Sequence, residues 1–454
     1  MQLFLRNVPR RLCLCGLINL LPILLPAQTP SDTTRILERL DRLEQQNREL
    51  VEEIRALRAE LSPARGTGGA PSEPTPTLEQ RVEVQERRIE EQAQSKVEAS
   101  QRFPIRLTGM ALFNAFLNSK NNGGSDYPTI AFPPGPGRAG ATVRQTIIGL
   151  DFRGPETFDG GRVHGSVYMD FFSGTLPLSQ TVRLRTGSLN IDWATRSVMG
   201  GIEKPIFNPR EPSSLAQVGL SPLSGAGNLW LWVPQARFTQ NLAFGSESGV
   251  RATVGVIQTR EVGPYPGSQP VTNLEQSRPG WEGRFEFFHK LDDERRLEIA
   301  PGFHASTTHA SGVSIPSRVF SLDWFFNPVK RLEFTGAYYY GENVAMLGTG
   351  AIRQGFDIDK SGAQAVHSQG GWGQLTVHAL PRLDFHMFSG QQDDRNSDLI
   401  TGGIGKNFLF GGNVYFRIAP NVLLGWETTQ VRTVYLGQGT QVNNHYDLAL
   451  GYLF

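Results

Sequence analysis

Six arginines lead the side chains that could do chemistry here: Arg106, Arg183, Arg185, Arg237, Arg251 and Arg284. Each lies where apolar and polar residues alternate, at a polar position of the kind also held by His164, Tyr168, Asp170 and Glu286. A guanidinium keeps its charge at any biological pH, and its planar donor fork suits a carboxylate or a phosphate. The chemistry on offer is the binding or passage of small anions. For any single arginine, a salt bridge or a charge at the lipid headgroups is the competing assignment. Bond-breaking chemistry has less behind it. No spacing joins a nucleophile, a histidine and an acid, and no Gly-x-Ser-x-Gly occurs. His304 and His309 are five apart, so on a strand they face opposite sides and cannot share a metal. No catalytic residue, cofactor or metal site is expected.

The elements that must position these residues come after a signal segment. Residues 1–27 read as a secretory signal peptide, with Arg6, Arg10 and Arg11 as its basic region and Leu12 to Leu25 as its apolar run. A short membrane anchor is the alternative, weakened by Asn19, Pro22 and Pro26. Both cysteines, Cys13 and Cys15, fall inside this segment, which leaves the mature chain without a thiol. In residues 33–62, Ile36, Leu40, Leu43, Asn47, Leu50, Ile54, Leu57 and Leu61 keep a 4-3-4-3 spacing, an a/d seam that predicts a coiled coil of undetermined strand number. An amphipathic helix packed on its own domain is the alternative. Residues 63–77 form a Pro/Gly/Ser/Thr linker, and residues 78–102 a second helix with a half-polar seam.

From residue 103 to 454 the period switches to two. This stretch holds about 16 candidate strands, at 104–118, 142–153, 162–172, 181–193, 197–207, 228–240, 248–259, 280–289, 295–307, 317–327, 331–342, 368–379, 382–390, 404–417, 420–432 and 440–454. A water-soluble sandwich would also alternate. Three features favour an antiparallel transmembrane barrel: aromatics near strand ends (Trp281, Phe285, Phe287, Tyr338, Tyr340), connections that alternate between long and short, and a last strand whose Tyr446, Leu448, Leu450, Tyr452 and Phe454 share one face. A mean hydropathy of −0.29 excludes a polytopic helical protein but not such a barrel, which hides half of each strand from lipid. With 44 basic and 43 acidic residues, no global charge points to nucleic acid. The barrel segment itself carries 29 basic against 28 acidic, so any anion preference must come from local placement. At about 16 strands the interior is wide enough for an aqueous channel. Within it, residues 200–239 run from a strand through some 20 residues rich in Pro, Ser and Gly to Trp230 and Trp232. This loop could fold inward and narrow the pore, or stand exposed outside.

Taken together, the signal peptide, the heptad helix, the second helix running through Lys96-Val97-Glu98-Ala99-Ser100, Arg183-Leu184-Arg185, and Gly200-Gly201 before a loop that returns with Pro234-Gln235-Ala236-Arg237 resemble the DcaP-like porins, relatives of the phosphate-selective porin group. The resemblance spans essentially the whole mature chain. It implies a homotrimeric, 16-stranded outer-membrane porin with periplasmic coiled coils, passing small hydrophilic solutes and often anions such as dicarboxylates or phosphate. Carried over to this sequence, it puts Arg183, Arg185 and Arg237 near the constriction. Lumen lysines are scarce here, which sets the chain apart from the phosphate-selective pattern. The implied partners are outer-membrane lipid, small anionic or neutral solutes, and the barrel-assembly machinery, which reads a last strand ending as this one does at Phe454. A contrasting possibility is an envelope tether, with the barrel serving only to anchor a cell-wall-facing coiled coil.

Overall fold

Successive side chains point to opposite faces in an extended chain, so a period of two that begins at Ile105 commits the chain from there onward to strands. The computed structural model describes residues 104–133, 135–173, 180–261, 278–310, 312–359 and 362–454, all within one compact unit, Glu91–Phe454. The signal segment 1–27, the coiled-coil helix 33–62, the linker 63–77 and the second helix 78–102 lie outside the described residues.

The strands are β1 (Ile105–Asn118), β2 (Arg138–Thr142 continued by Ile147–Thr157), β3 (Gly161–Ser173), β4 (Thr181–Asp192), β5 (Arg196–Glu203), β6 (Val233–Phe244), β7 (Ser248–Gln258) and β8 (Pro279–Lys290). They continue with β9 (Arg296–Ala310), β10 (Val313–Val329), β11 (Leu332–Glu342), β12 (His367–Leu380), β13 (Leu383–Asp394), β14 (Ile404–Ala419), β15 (Val422–Tyr435) and β16 (Gly439–Leu453). Each pairs antiparallel with the next, and β16 pairs with β1 from Met110↔Leu453 to Asn118↔His445. The sheet is therefore a closed antiparallel barrel of sixteen strands with no free edge, in line with the alternation. A small hairpin, Phe356–Asp359 with Gly362–Ala365, pairs separately from it.

The second, fifth and sixth strands depart from their expected bounds, each with a visible reason. The second strand, expected at 142–153, runs from Arg138 to Thr157 and is broken at residues 143–146. There Gln145 turns into the lumen, and the Thr146 hydroxyl takes the place of a ladder carbonyl, accepting from the Leu112 amide at 3.0 Å. The fifth strand, expected to reach 207, stops at Glu203, and the sixth, expected from 228, starts at Val233, because Pro205 comes next and the chain leaves the wall.

One barrel end carries only short turns, residues 158–160, 193–195, 245–247, 291–295, 330–331, 381–382 and 420–421, while the long connections 119–137, 204–232, 259–278, 343–366 and 395–403 share the other. The two faces of the wall differ in kind. Tyr446, Leu448, Leu450, Tyr452 and Phe454 are 40% to 51% exposed on the outside, where a water-soluble protein would have buried them. Trp281, Phe285, Phe287, Tyr338 and Tyr340 are likewise exposed. The inner face instead buries Asn114, Asp170, Arg284, Glu286, Asp323, Asn413, Glu427 and Asp447. Phe454 is held into the seam itself, exchanging backbone bonds of 3.0 and 3.1 Å with Gly109.

Candidate functional site: a loop clamped across the lumen

The 204–232 loop folds inward. It carries Pro205, Pro209, Pro212 and Pro222, which donate no hydrogen bond and keep the segment out of the ladder. Its carbonyls then need partners, since buried backbone groups cannot be left unpaired. The polar lumen supplies them all round the wall. Asn114 of β1 donates to Leu215 O at 2.9 Å, Gln145 to Ala216 O at 2.7 Å, Asn413 of β14 to Ser213 O at 2.8 Å and Asn407 to Gly225 O at 2.8 Å. Glu282 of β8 accepts from the Ile206 amide at 2.7 Å, and Glu427 of β15 from the Ser214 hydroxyl at 2.6 Å. Leu215 packs with Met110, Leu112 and Ala449, and Phe207 and Leu229 with Tyr339 and Leu347. Where the loop meets the wall, backbone touches backbone: a Cβ on Gly227, at φ +95°, would come within 2.2 Å of Gly371 O, and one on Gly390 within 2.2 Å of Ala226 O.

Arg183 and Arg185 close the clamp on the β3–β4 side. Arg183 holds Asp170 with Nε and Nη2 at 3.0 and 2.7 Å and donates to Gly219 O at 2.6 Å. Arg185 reaches Asp170 Oδ2 at 2.7 Å and Val218 O at 2.8 Å. The indole of Trp232 lies 4.9 Å below one guanidinium and 4.5 Å below the other, a cation–π geometry. Two fixed positive charges thus share one carboxylate; Glu211, which also acts on Arg185, is paired with Lys204 at 2.6 Å, so a local surplus of one remains at the loop.

Arg251 and Arg284 sit elsewhere, in an ionic network on β7–β10. Arg284 bonds Asp323 at 2.7 and 2.8 Å and Glu286 at 2.7 Å; Arg251 bonds Glu286 at 2.6 Å. Into this network the loop inserts Arg210, which pairs with Asp323 and with Glu298 at 2.6 Å. These charges tie the base of the loop to β8–β10. Arg237 stands opposite Met199, one inward-facing rung from Gln235, whose amide holds the departing loop at Glu203 O and Lys204 O. Arg106 is the register partner of Asp151 at the short-turn end, beside a cavity of about 420 Å³, and the geometry does not bring it to the loop.

Two features escaped sequence reasoning. At the long-loop mouth a cavity of about 370 Å³ lies between the 119–137, 204–232 and 343–366 loops, with Arg260 and Arg353 on its lining and no carboxylate there. Neither arginine forms an ion pair among the described residues. Both lie in loops, where no alternation marks a facing direction. The second feature is a relay: His304 Nδ1 to Glu282 Oε1 at 3.0 Å and Nε2 to Ser306 Oγ at 2.9 Å. It joins a serine, a histidine and an acid that the spacing does not suggest. Yet the His304 and Glu282 side chains have 0% exposure, and the second Glu282 oxygen is occupied by the loop amide of Ile206. The relay is a loop anchor. His309 faces outward, to Ser314 and Arg278, so the two histidines do take opposite sides.

A closed sixteen-stranded barrel with a long loop packed into a polar lumen defines the porin type of fold. The barrel is similar to the outer-membrane channel DcaP of Acinetobacter baumannii, with a TM-score of 0.65 and 16% identity over 77% of this chain and 97% of that one. An anion-selective porin from Comamonas acidovorans matches with a TM-score of 0.49 at 10% identity, over 77% of this chain and 99% of that one. At 16% identity the likeness to DcaP is one of fold. No family model and no curated protein matches the sequence.

Proposed function

We propose that the protein is an outer-membrane porin giving passive diffusion of small hydrophilic solutes, with a preference for anions such as dicarboxylates. The observation that carries this reading is the inward loop and its charge balance. The clamp sets Arg183, Arg185 and Lys204 against Asp170 and Glu211, and the mouth cavity adds Arg260 and Arg353 with no acid on its lining. A solute entering from the long-loop end meets positive charge before it meets the narrowed lumen, which raises local anion concentration. Arg183, Arg185 and Arg237 are the residues assigned to the constriction; Arg106 would act at the far mouth, and Arg251 and Arg284 through the seating of the loop. The long-loop end faces the medium and the short turns the periplasm, the usual arrangement of such barrels. Assembly as a homotrimer, a periplasmic coiled coil and recognition of the strand ending at Phe454 by the assembly machinery belong to the same reading.

The test is planar-bilayer recording on folded, heat-modifiable protein. Stepwise conductance with a reversal potential on the anion side supports the proposal. Folded protein that never conducts sinks it and favours a barrel that only anchors a tether.

A further inference from the structure

The outer wall has a charged step at the margin of its apolar band. Trp281, Ala305, Arg318, Glu342 and His367 are successive register partners across β8–β12 and form one row around the barrel. The next outward-facing row towards the short-turn end holds Phe303, Phe320 and Tyr340, exposed at 39%, 51% and 51%. Arg318 therefore stands where the apolar surface gives way to the long-loop end. Its register partner Glu342 is engaged by His367, 3.5 Å away. Arg318 is exposed and forms no hydrogen bond or ion pair with any described residue. On one side of it, a depression of about 370 Å³ is floored by Ala305, Thr307 and Pro316 and bounded by Arg278 and Trp281. On the other, a groove of about 550 Å³ runs past Phe303, Phe320 and Tyr340.

We propose that this face binds a phosphorylated membrane lipid, its phosphate between Arg278 and Arg318 and one acyl chain in the groove beside Phe320 and Tyr340. An exposed guanidinium at the edge of a hydrocarbon layer needs a counter-charge, and the cross-strand acid that could have supplied one is engaged by His367 instead. Small side chains leave the depression open to a headgroup, and Pro279 and Pro316 contribute no backbone donor to compete for it. The groove begins at the same arginine, so head and tail sites are continuous. A free phosphate in water would use only the first of them. The inference rests on the membrane orientation proposed above but not on conduction through the pore.

The probe is lipid A bearing two, one or no phosphates, added to folded detergent-solubilised protein and monitored by native mass spectrometry. The bisphosphorylated form should stay bound and the dephosphorylated form should not. Arg278→Gln and Arg318→Gln should each weaken retention roughly fivefold. Ala305→Trp, which fills the floor without touching charge, should do the same by an independent route. Equal retention by wild type and the double arginine variant, or equal binding of dephosphorylated lipid, overturns the proposal. So does a change in oligomer mass with lipid retention intact, which would make the face a contact between copies. Conductance recorded on the same samples keeps the two readings apart: wild-type protein that binds lipid without conducting fails as a channel and stands as a lipid site.

Discussion

Arg185 reaches Asp170 at 2.7 Å although Arg183, two residues earlier on the same strand, is the register partner of that aspartate. Alternation already puts the two arginines on the lumen side. Met169 pairs with Leu184 and Tyr168 with Thr186, so Arg185 is also the extra residue of a bulge and has no cross-strand partner of its own on β3. The two guanidiniums lie side by side under one loop.

Replacing Arg183 and Arg185 together with alanine removes two positive charges and strips Asp170 of both partners. The anion/cation permeability ratio should fall roughly two- to fivefold, the range for a charge a few ångströms from the ion path after screening. The reversal potential in a salt gradient measures it; an unchanged value would place the clamp away from the ion path.

At the mouth, Arg260→Ser with Arg353→Ser should leave the barrel's heat resistance unchanged, since neither arginine is paired among the described residues. Anion-induced current noise at low salt should drop, and the difference from wild type should vanish at high salt, where surface charge is screened.

A Gly390→Val side chain would meet Ala226 O and lift the loop from the wall. Single-channel conductance should change while the folded barrel persists on unheated gels. Identical conductance would mean that the loop tip does not set the narrowest point.

Loss of the carboxylate in Glu282→Ala leaves the Ile206 amide and His304 without their partner. A cost of about 1–3 kcal/mol is expected for the unsatisfied buried groups, read as a lower denaturant midpoint or as proteolysis of the 204–232 loop.

In the 395–403 loop, burial pushes the Asp398 carboxyl up, but the His367 amide at 3.1 Å, its imidazole at 2.8 Å and the Ser397 hydroxyl at 3.0 Å outweigh it and hold the group below its ordinary value. A depressed acid stabilises the fold above its unfolded value, about 3.9, and loses that contribution as pH falls through the folded one. Amide protection in this loop should thus hold from neutral pH to about 5 and fade below about 4. Asp398→Asn should be flat across the same range.

The wall was legible because a strand has one rule: alternate side chains share a face. Leu448, Leu450 and Tyr452 on the outside, and Asp170 and Arg284 on the inside, obey it directly. The place of Phe454 in the phase of the last strand was legible for the same reason. The 204–232 loop was not, since Pro, Gly and Ser mark irregular backbone without saying which surface will satisfy it. Its inward course depends on Asn114, Gln145, Asn413 and Glu427, which lie up to 223 residues from Lys204 and look in sequence like ordinary polar strand positions. Equally hidden were the Arg185 bulge, a matter of register, and the division of the arginines. Arg251 and Arg284 have the same residue type and alternation as Arg183, and only the position of Glu286 and Asp323 across the sheet commits them to an ionic network.

Asn114 bonds both Leu215 of the loop and Asp447 of the closing strand, at 2.9 and 3.0 Å. The loop's partners therefore come from the first strand, the last strands and the wall between, and no incomplete ring offers them all. Seating the loop becomes a test of assembly: a sheet closed with a strand missing or out of register would leave carbonyls of residues 213–219 without the side chains that hold them to the wall. The segment that narrows the lumen also reports whether the ring around it was built correctly.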